Sequence, residues 1–303
     1  MTEKSDVHMR AGFVAIIGAP NAGKSTLLNT LVGQKISITS LKPQTTRMKM
    51  IGVTTQDTTQ ICFVDTPGIF AGKSRLDRSM VQVAWDAISG ADAIVLLVDG
   101  AAKMNETLEN IISELQSRKR RVILALNKVD QVNKNDLLPL TQKIHDTAIV
   151  DHVFMISGLK GDGLDDLKKH LAGMMPENPW FFPEDQLSDL PSQLIAAEMT
   201  REQLFRQLQQ ELPYAATVIP ESWETKDDGS AVIRQSIIIS RTSHRPIVLG
   251  KQGSRIKSIG EAARKDIAKF LGTPVHLFLE IKVDEKWQDR RDYYQMFGLE
   301  FGK

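Results

Sequence analysis

At 303 residues the chain is long enough for two domains with separate cores, and its 42% apolar and 25% charged content is that of a soluble globular protein. A single cysteine, Cys62, excludes an internal disulfide framework, and no stretch reaches the ~18 apolar residues of a membrane span, so any membrane contact is expected to be peripheral. The net charge of +1 hides an asymmetry: residues 184–233 carry 10 acidic and 3 basic side chains, whereas residues 234–269 carry 9 basic and 2 acidic. The basic segment predicts either a localised polyanion site or a solvated helix face.

The opening MTEKSDVHMR has no apolar core of the kind a secretory signal needs, so a cytoplasmic protein is expected. Residues 12–17 (GFVAII) read as a buried strand that runs into GAPNAGKS, and residues 25–31 read as a helix. A strand, a glycine-rich turn and a helix in that order form a phosphate loop. Backbone amides of Gly18, Ala19, Pro20, Asn21, Ala22 and Gly23 would wrap the phosphates, with the helix N-terminus adding its positive end; proline, lacking an N–H, serves there only as part of the turn. Lys24 is expected to reach the β- and γ-phosphates and the Ser25 hydroxyl to ligate Mg²⁺, with Thr26 completing the binding set. Next comes KPQTTRMKMIG (42–52), where Thr45 and Thr46 are candidates for a hydroxyl that joins Mg²⁺ only when a γ-phosphate is present. Thr46, directly before Arg47, is the favoured one.

The run at 60–64 reads as a second buried strand ending in DTPG. Asp65 is expected to hold the Mg²⁺ shell, and the Gly68 amide to contact the γ-phosphate. Lys24, Thr46 and Gly68 are thus the catalytic candidates. Ile69 and Phe70 stand where many such enzymes carry a glutamine that orients the attacking water, so slow unaided turnover is expected. Asn21 is a candidate ligand for a monovalent cation such as K⁺, and equally a turn former.

Helix-like segments at 76–88, 106–115, 136–150 and 164–171 alternate with apolar runs at 93–98, 121–126 and 152–156. This alternation predicts a mostly parallel sheet with helices on both faces, and hence an α/β domain. NKVD follows the fourth run. The Asp130 carboxylate can accept from both guanine N1 and N2, donors that adenine does not offer, with Asn127 bracing the pocket and Lys128 lying over the base. Ser157 and Gly158 of SGLKG would complete the base pocket.

Residues 173–192 hold four of the chain's 12 prolines and read as a linker. A helix at 192–211, strands at 215–221 and 231–240 joined by KDDG, a helix at 254–271 and a strand at 275–283 predict a second, α+β unit. Before its last helix lies GKQG. Two glycines let a backbone approach phosphates closely while bases splay onto an apolar groove, here floored by Ile256 or Ile259. Arg245, Gly250, Lys251, Gln252, Gly253, Ser254, Arg255 and Lys257 are the RNA-binding candidates. The aromatic and basic tail after 286 either contacts RNA or packs back on the domain.

On these motifs (GAPNAGKS, PQTTR, DTPGI, NKVD and GKQG, with REQLF, GEAARKDI, LGTPVHLFLEIKV and KVDEKWQDR) the chain resembles the Era family of bacterial ribosome-assembly GTPases over nearly its whole length. The resemblance implies a P-loop GTPase domain at 8–174, a linker at 175–191, a type II KH domain at 192–285 and a tail at 286–303. It further implies a GTP/GDP switch that grips the 3′ end of small-subunit ribosomal RNA and assists 30S assembly, with Mg²⁺ as cofactor. A monomer is expected, with peripheral inner-membrane contact in some settings. The chain departs from the family pattern at Ser157–Gly158, where Ser-Ala is usual, and at RTSHRP and Gln252. The alternative from another class is a membrane-associated signalling switch whose nucleotide state is read by a protein partner.

Overall fold

Strands β1 (Arg10–Ile17), β3 (Thr59–Asp65), β4 (Ala93–Asp99) and β5 (Val122–Asn127) are buried along almost their whole length. Near-continuous apolar sequence is what a strand covered on both faces requires. The computed structural model describes residues 8–301 apart from 41, 43, 44 and 73, so Pro43 and Gln44 of PQTTR and the last two tail residues lie outside it. With β2 (Met50–Gln56) and β6 (Val150–Met155) the strands form a sheet of order β2-β3-β1-β4-β5-β6, in which β2 is antiparallel and the other pairings are parallel.

Helices α1 (Lys24–Val32) and α5 (Leu164–Met174) cover one face through Leu27, Leu28, Leu31, Leu164, Leu167 and Leu171. On the other face lie α2 (Arg75–Ser89), α3 (Glu106–Ser117) and α4 (Lys134–His145), through Ala84, Ile88, Ile111, Leu115, Leu137 and Ile144. Each fully buried leucine here contributes roughly 1.5–3 kcal/mol. A reciprocal cap starts α2, with Ser74 and Asp77 each accepting from the other's backbone N–H at 3.0 Å. No side chain caps α1, which begins at Gly23 in a left-handed conformation and leaves its first amides for a ligand.

One expectation in this unit is corrected, and one element is added. The helix expected over 136–150 ends at His145, because Ala148 turns left-handed (φ 61°) and Val150 opens β6. Residues 50–56, to which the sequence reading assigned no element, form β2, joined to β3 by a turn with Asp57 at φ 52°. The proline-rich stretch is no loose linker. It runs along the outer edge of β2, with Val53 N–H donating to Leu187 O (2.9 Å) and Ile51 N–H to Asp189 Oδ1 (2.8 Å). Gln60 Oε1 accepts from the amides of Phe181 (2.9 Å) and Phe182 (3.1 Å). The segment thereby covers a sheet edge that would otherwise be open to pairing.

The second unit comprises α6 (Ser192–Gln207), β7 (Ala216–Thr225), β8 (Ala231–Ile239), α7 (Arg245–Leu249), α8 (Ser254–Leu271) and β9 (Val275–Val283). Its sheet has the order β7-β8-β9, with β7 and β8 antiparallel and β8 and β9 parallel. Helices α6 and α8 pack on the sheet through Leu204, Ile259 and Ile237 and, alongside, Ile195, Ala263 and Ile233. The short α7, absent from the sequence reading, supplies the helix before GKQG. The tail packs back: Trp287, Tyr294, Phe297 and Leu299 are buried against Leu76, Met80 and Val83 of α2 and Ile238 of β8, with Tyr294 in a further helix, α9 (Arg291–Met296). It thus joins the two units.

Candidate functional site

Gly18, Asp65, Asn127 and Ser157 stand at, or within two residues of, the C-terminal ends of β1, β3, β5 and β6. A parallel sheet therefore gathers at one edge four motifs that are far apart in sequence. Three of them, the phosphate loop, DTPG and NKVD, border a cavity of about 290 Å³ lined by Pro20, Asn21, Gly23 to Thr26, Thr45, Thr46, Gly68 and Lys128, among others, while SGLKG lies outside its lining.

The phosphate loop is a tight ring. Ala22 N–H donates to Ala19 O (3.3 Å), and Asn21 (φ 64°) and Gly23 (φ 99°) both turn left-handed. A Cβ on Gly23 would come within 2.4 Å of Asn127 Nδ2, so this position has no room for a side chain. Lys24 Nζ donates to Gly18 O (3.0 Å) and Ala19 O (2.9 Å), which holds its ammonium inside the ring. Burial lowers its pKa to about 8 and nearby Asp65 raises it, so the group remains a cation at neutral pH.

A hydroxyl and carboxylate cluster lies beside the lysine. Ser25 Oγ is 2.8 Å from Thr46 Oγ1 and donates to Asp65 Oδ2 at 2.9 Å. Ser37, which the motifs do not single out, donates to the same oxygen at 2.9 Å. Asp65 is fully buried, and its Oδ1 has no hydrogen-bond partner among the described residues. Burial raises its pKa, against Lys24 and the two serines. A buried carboxylate with one unpaired oxygen, ringed by hydroxyls, fits a hard divalent cation. Of the two candidate threonines, Thr46 is the one that meets Ser25, whereas the Thr45 hydroxyl turns away to Lys42 O (2.8 Å). Gly68 packs against Pro20, and Ile69 N–H donates to Gly18 O (3.2 Å), so the loop after β3 rests on the phosphate loop.

Asn127 ties the two halves of the site together. Its Nδ2 donates to Ala22 O and its Oδ1 accepts from Gly158 N–H, both at 2.8 Å. Asp130 accepts from Ser157 Oγ at 2.7 Å, which lowers the carboxyl pKa and keeps it charged. Lys128, at φ 65°, pairs with Asp99 at 2.6 Å. Asp99 escaped the sequence reading, yet it ends the apolar run of β4 directly opposite Asn127 in the parallel register, a position that could have flagged it.

The basic candidates assemble at the start of α8. Gly250 (φ 72°) and Gly253 (φ 77°) bracket Lys251 and Gln252, and a Cβ on Gly250 would lie 2.7 Å from Arg255 Cβ. Arg245, Lys251, Gln252, Ser254, Arg255 and Lys257 are exposed. A groove of about 310 Å³ adjoins them, lined by Ile256, Lys257, Gly260, Glu261, Arg264, Leu277 and Leu279. Ile256 is therefore its floor, while Ile259 is fully buried in the core.

Fold and site define a P-loop GTP-binding protein that carries a KH unit. A profile described as 50S ribosome-binding GTPase matches residues 13–128, and one described as KH domain matches residues 211–288. The chain is 50% identical over 305 residues to GTPase Era of Erythrobacter litoralis, covering 99% of both, and 47% identical over 311 residues to GTPase Era of Maricaulis maris, covering 98% of this chain and 99% of the relative. A crystal structure of Era with MgGDPNP and nucleotides 1506–1542 of 16S ribosomal RNA superposes with a TM-score of 0.90 at 39% identity, covering 96% of this chain and 99% of that one. A point variant of Aquifex aeolicus Era bound to GDP·AlF4⁻ gives 0.90 at 38%, with the same coverage. The chain belongs to the Era family of GTPases. It is a GTP hydrolase.

Proposed function

We propose that the chain uses its nucleotide state to govern a grip on the 3′ region of 16S ribosomal RNA during 30S assembly, with residues 8–174 as the GTPase unit and 192–285 as the RNA-binding unit. The observation that carries this reading is the GKQG loop. Two positive-φ glycines at the foot of α8 stand among exposed cations and beside a groove with apolar Ile256, Leu277 and Leu279 in its lining, a form suited to backbone phosphates and splayed bases. The related Era crystallised with a 16S fragment supports the choice of RNA.

In this reading Gly18 to Thr26 bind the phosphates, Lys24 neutralises the β- and γ-phosphates, and Asn127, Lys128, Asp130, Ser157 and Gly158 select guanine. Ser25, Thr46 and Asp65 hold Mg²⁺, which when bound draws charge from the phosphate oxygens. Asn21, lining the cavity, is assigned to a K⁺ ion. The Gly68 amide registers the γ-phosphate. Ile69 is buried and Phe70 is apolar, so neither orients water and unaided turnover is slow. The protein acts in the cytoplasm as a monomer. Peripheral inner-membrane contact rests on family resemblance alone, and no observation favours the signalling alternative.

Gly253 gives the test. A Cβ there meets nothing within 4 Å, so aspartate adds charge without a clash. Asparagine tolerates the same left-handed backbone and serves as the uncharged control. Gly253→Asp is expected to lose binding of a labelled 16S 3′-end oligonucleotide at least tenfold more than Gly253→Asn, with GTP affinity retained. Equal RNA affinity in the two variants would refute the clamp.

A further inference from the structure

The chain between α1 and β2, which carries the switch threonine, is fastened to the KH unit at several points. Lys35 pairs with Glu202 (2.6 Å) of α6 and Asp266 (3.0 Å) of α8. Gln34 Nε2 donates to Phe270 O at 2.9 Å, and Lys42 Nζ donates to the carbonyls of Phe205 and Leu208. The deepest of these attachments is Arg47.

Arg47 directly follows Thr46 and is 4% exposed. Its guanidinium donates to Ala216 O (2.8 Å), Tyr214 O (2.9 Å) and Pro213 O (3.4 Å), and lies 5.9 Å from the Phe205 ring centroid and 5.2 Å from that of Trp287. Every one of these partners belongs to the KH unit or its tail. On the other side of Thr46, fully buried Arg201 of α6 donates to Thr45 O while paired with Glu198 at 2.5 Å. The switch threonine is therefore gripped through both sequence neighbours by the domain that carries the RNA loop. That socket is continuous with the loop. Leu208, Leu212 and Ala216 share one buried cluster with Val248 of α7 and Ile259 of α8, the helices on either side of GKQG.

We propose that Arg47 is a positioning residue: by seating in this socket it lets the KH unit set Thr46 against Ser25, so that RNA in the groove and the γ-phosphate state of the nucleotide report to each other through one side chain. The inference rests on the assignment of Thr46 as the switch hydroxyl. A planar fork that spans three carbonyls between two aromatic rings suits arginine and not lysine, whose single ammonium cannot copy the geometry. Because linkage is reciprocal, whatever the GTP form adds to RNA affinity, RNA must add to affinity for the GTP form. Without the seated guanidinium, each half still binds its own ligand, but the two lose their coupling.

The test measures RNA affinity of the full chain with GDP and with a non-hydrolysable GTP analogue, using a labelled 16S 3′-end oligonucleotide and fluorescence anisotropy. The ratio of the two affinities is the coupling, which for wild type is expected on the order of tens-fold. Arg47→Met fills similar volume without the charge, and should bring the ratio to about twofold or less while RNA affinity in the GDP state and GDP affinity itself hold within about twofold. Arg47→Lys should fall between the two, and decides alone if the methionine variant does not fold. A wild-type ratio in either folded variant overturns the proposal. Thr46→Ala separates the layers: its ratio should also collapse. A full ratio there would remove the switch assignment itself, whereas a collapse in Thr46→Ala with full coupling in Arg47→Met would remove only the role given to Arg47.

Discussion

Replacing Asn127 by alanine should loosen both halves of the nucleotide site at once. The side chain is 3% exposed and bridges Ala22 O and Gly158 N–H at 2.8 Å each. Alanine leaves one buried acceptor in the phosphate loop and one buried donor in the guanine loop, at about 1–3 kcal/mol apiece, or roughly 2–6 kcal/mol together. If only the lower figure appears in binding, GDP affinity falls about 30-fold, at ~1.4 kcal/mol per factor of ten. Titration with a fluorescent GDP reads this directly. A thermal melt of the nucleotide-free protein reads the remainder, up to about 4 kcal/mol, as a drop of roughly 2–4 °C per kcal/mol. Near-wild-type affinity together with an unchanged melting point would show that the two loops are held independently and that the bridge does little.

Asp130→Asn inverts the donor and acceptor pattern that faces the base, so binding should shift from guanosine toward xanthosine triphosphate by an order of magnitude or more; unchanged guanine preference in competition titrations would sink the role assigned to NKVD. His170 on α5 lies 4.3 Å from His152, ring to ring, and burial together with that neighbour lowers its pKa below 6.5. The unfolded chain therefore takes up the proton first as pH falls, so stability is fully present above about 6.5 and declines below it. His170→Phe should flatten that decline in urea titrations between pH 7 and pH 5, and a slope equal to wild type would contradict the pairing.

The four nucleotide motifs were legible because each is a short contiguous code anchored to a strand end, and a parallel sheet brings strand ends together whatever the loops do. β2 was missed because its second half and turn, TTQDT, are polar and lack alternation: only its first half is buried, and its edge is covered by a segment over 130 residues away. The overrun of α4 traces to Ala148, a strong helix former held left-handed, which no propensity would flag. In the site, Ser37 gave no signal, since a lone serine in a loop is ordinary. Tertiary contact decided the rest. The roles of Trp287 and Tyr294 in the tail, and the seating of Arg47, depend on how two units meet, and no local pattern encodes that.

The central claim is that GTP gates the grip on RNA. It is tested most directly by titrating a labelled 16S 3′-end oligonucleotide, and a scrambled one, against the wild-type chain at fixed salt, first with GDP and then with a non-hydrolysable GTP analogue. The account predicts tighter, sequence-dependent binding in the analogue-bound state. Equal, weak binding of both oligonucleotides in both states would contradict it.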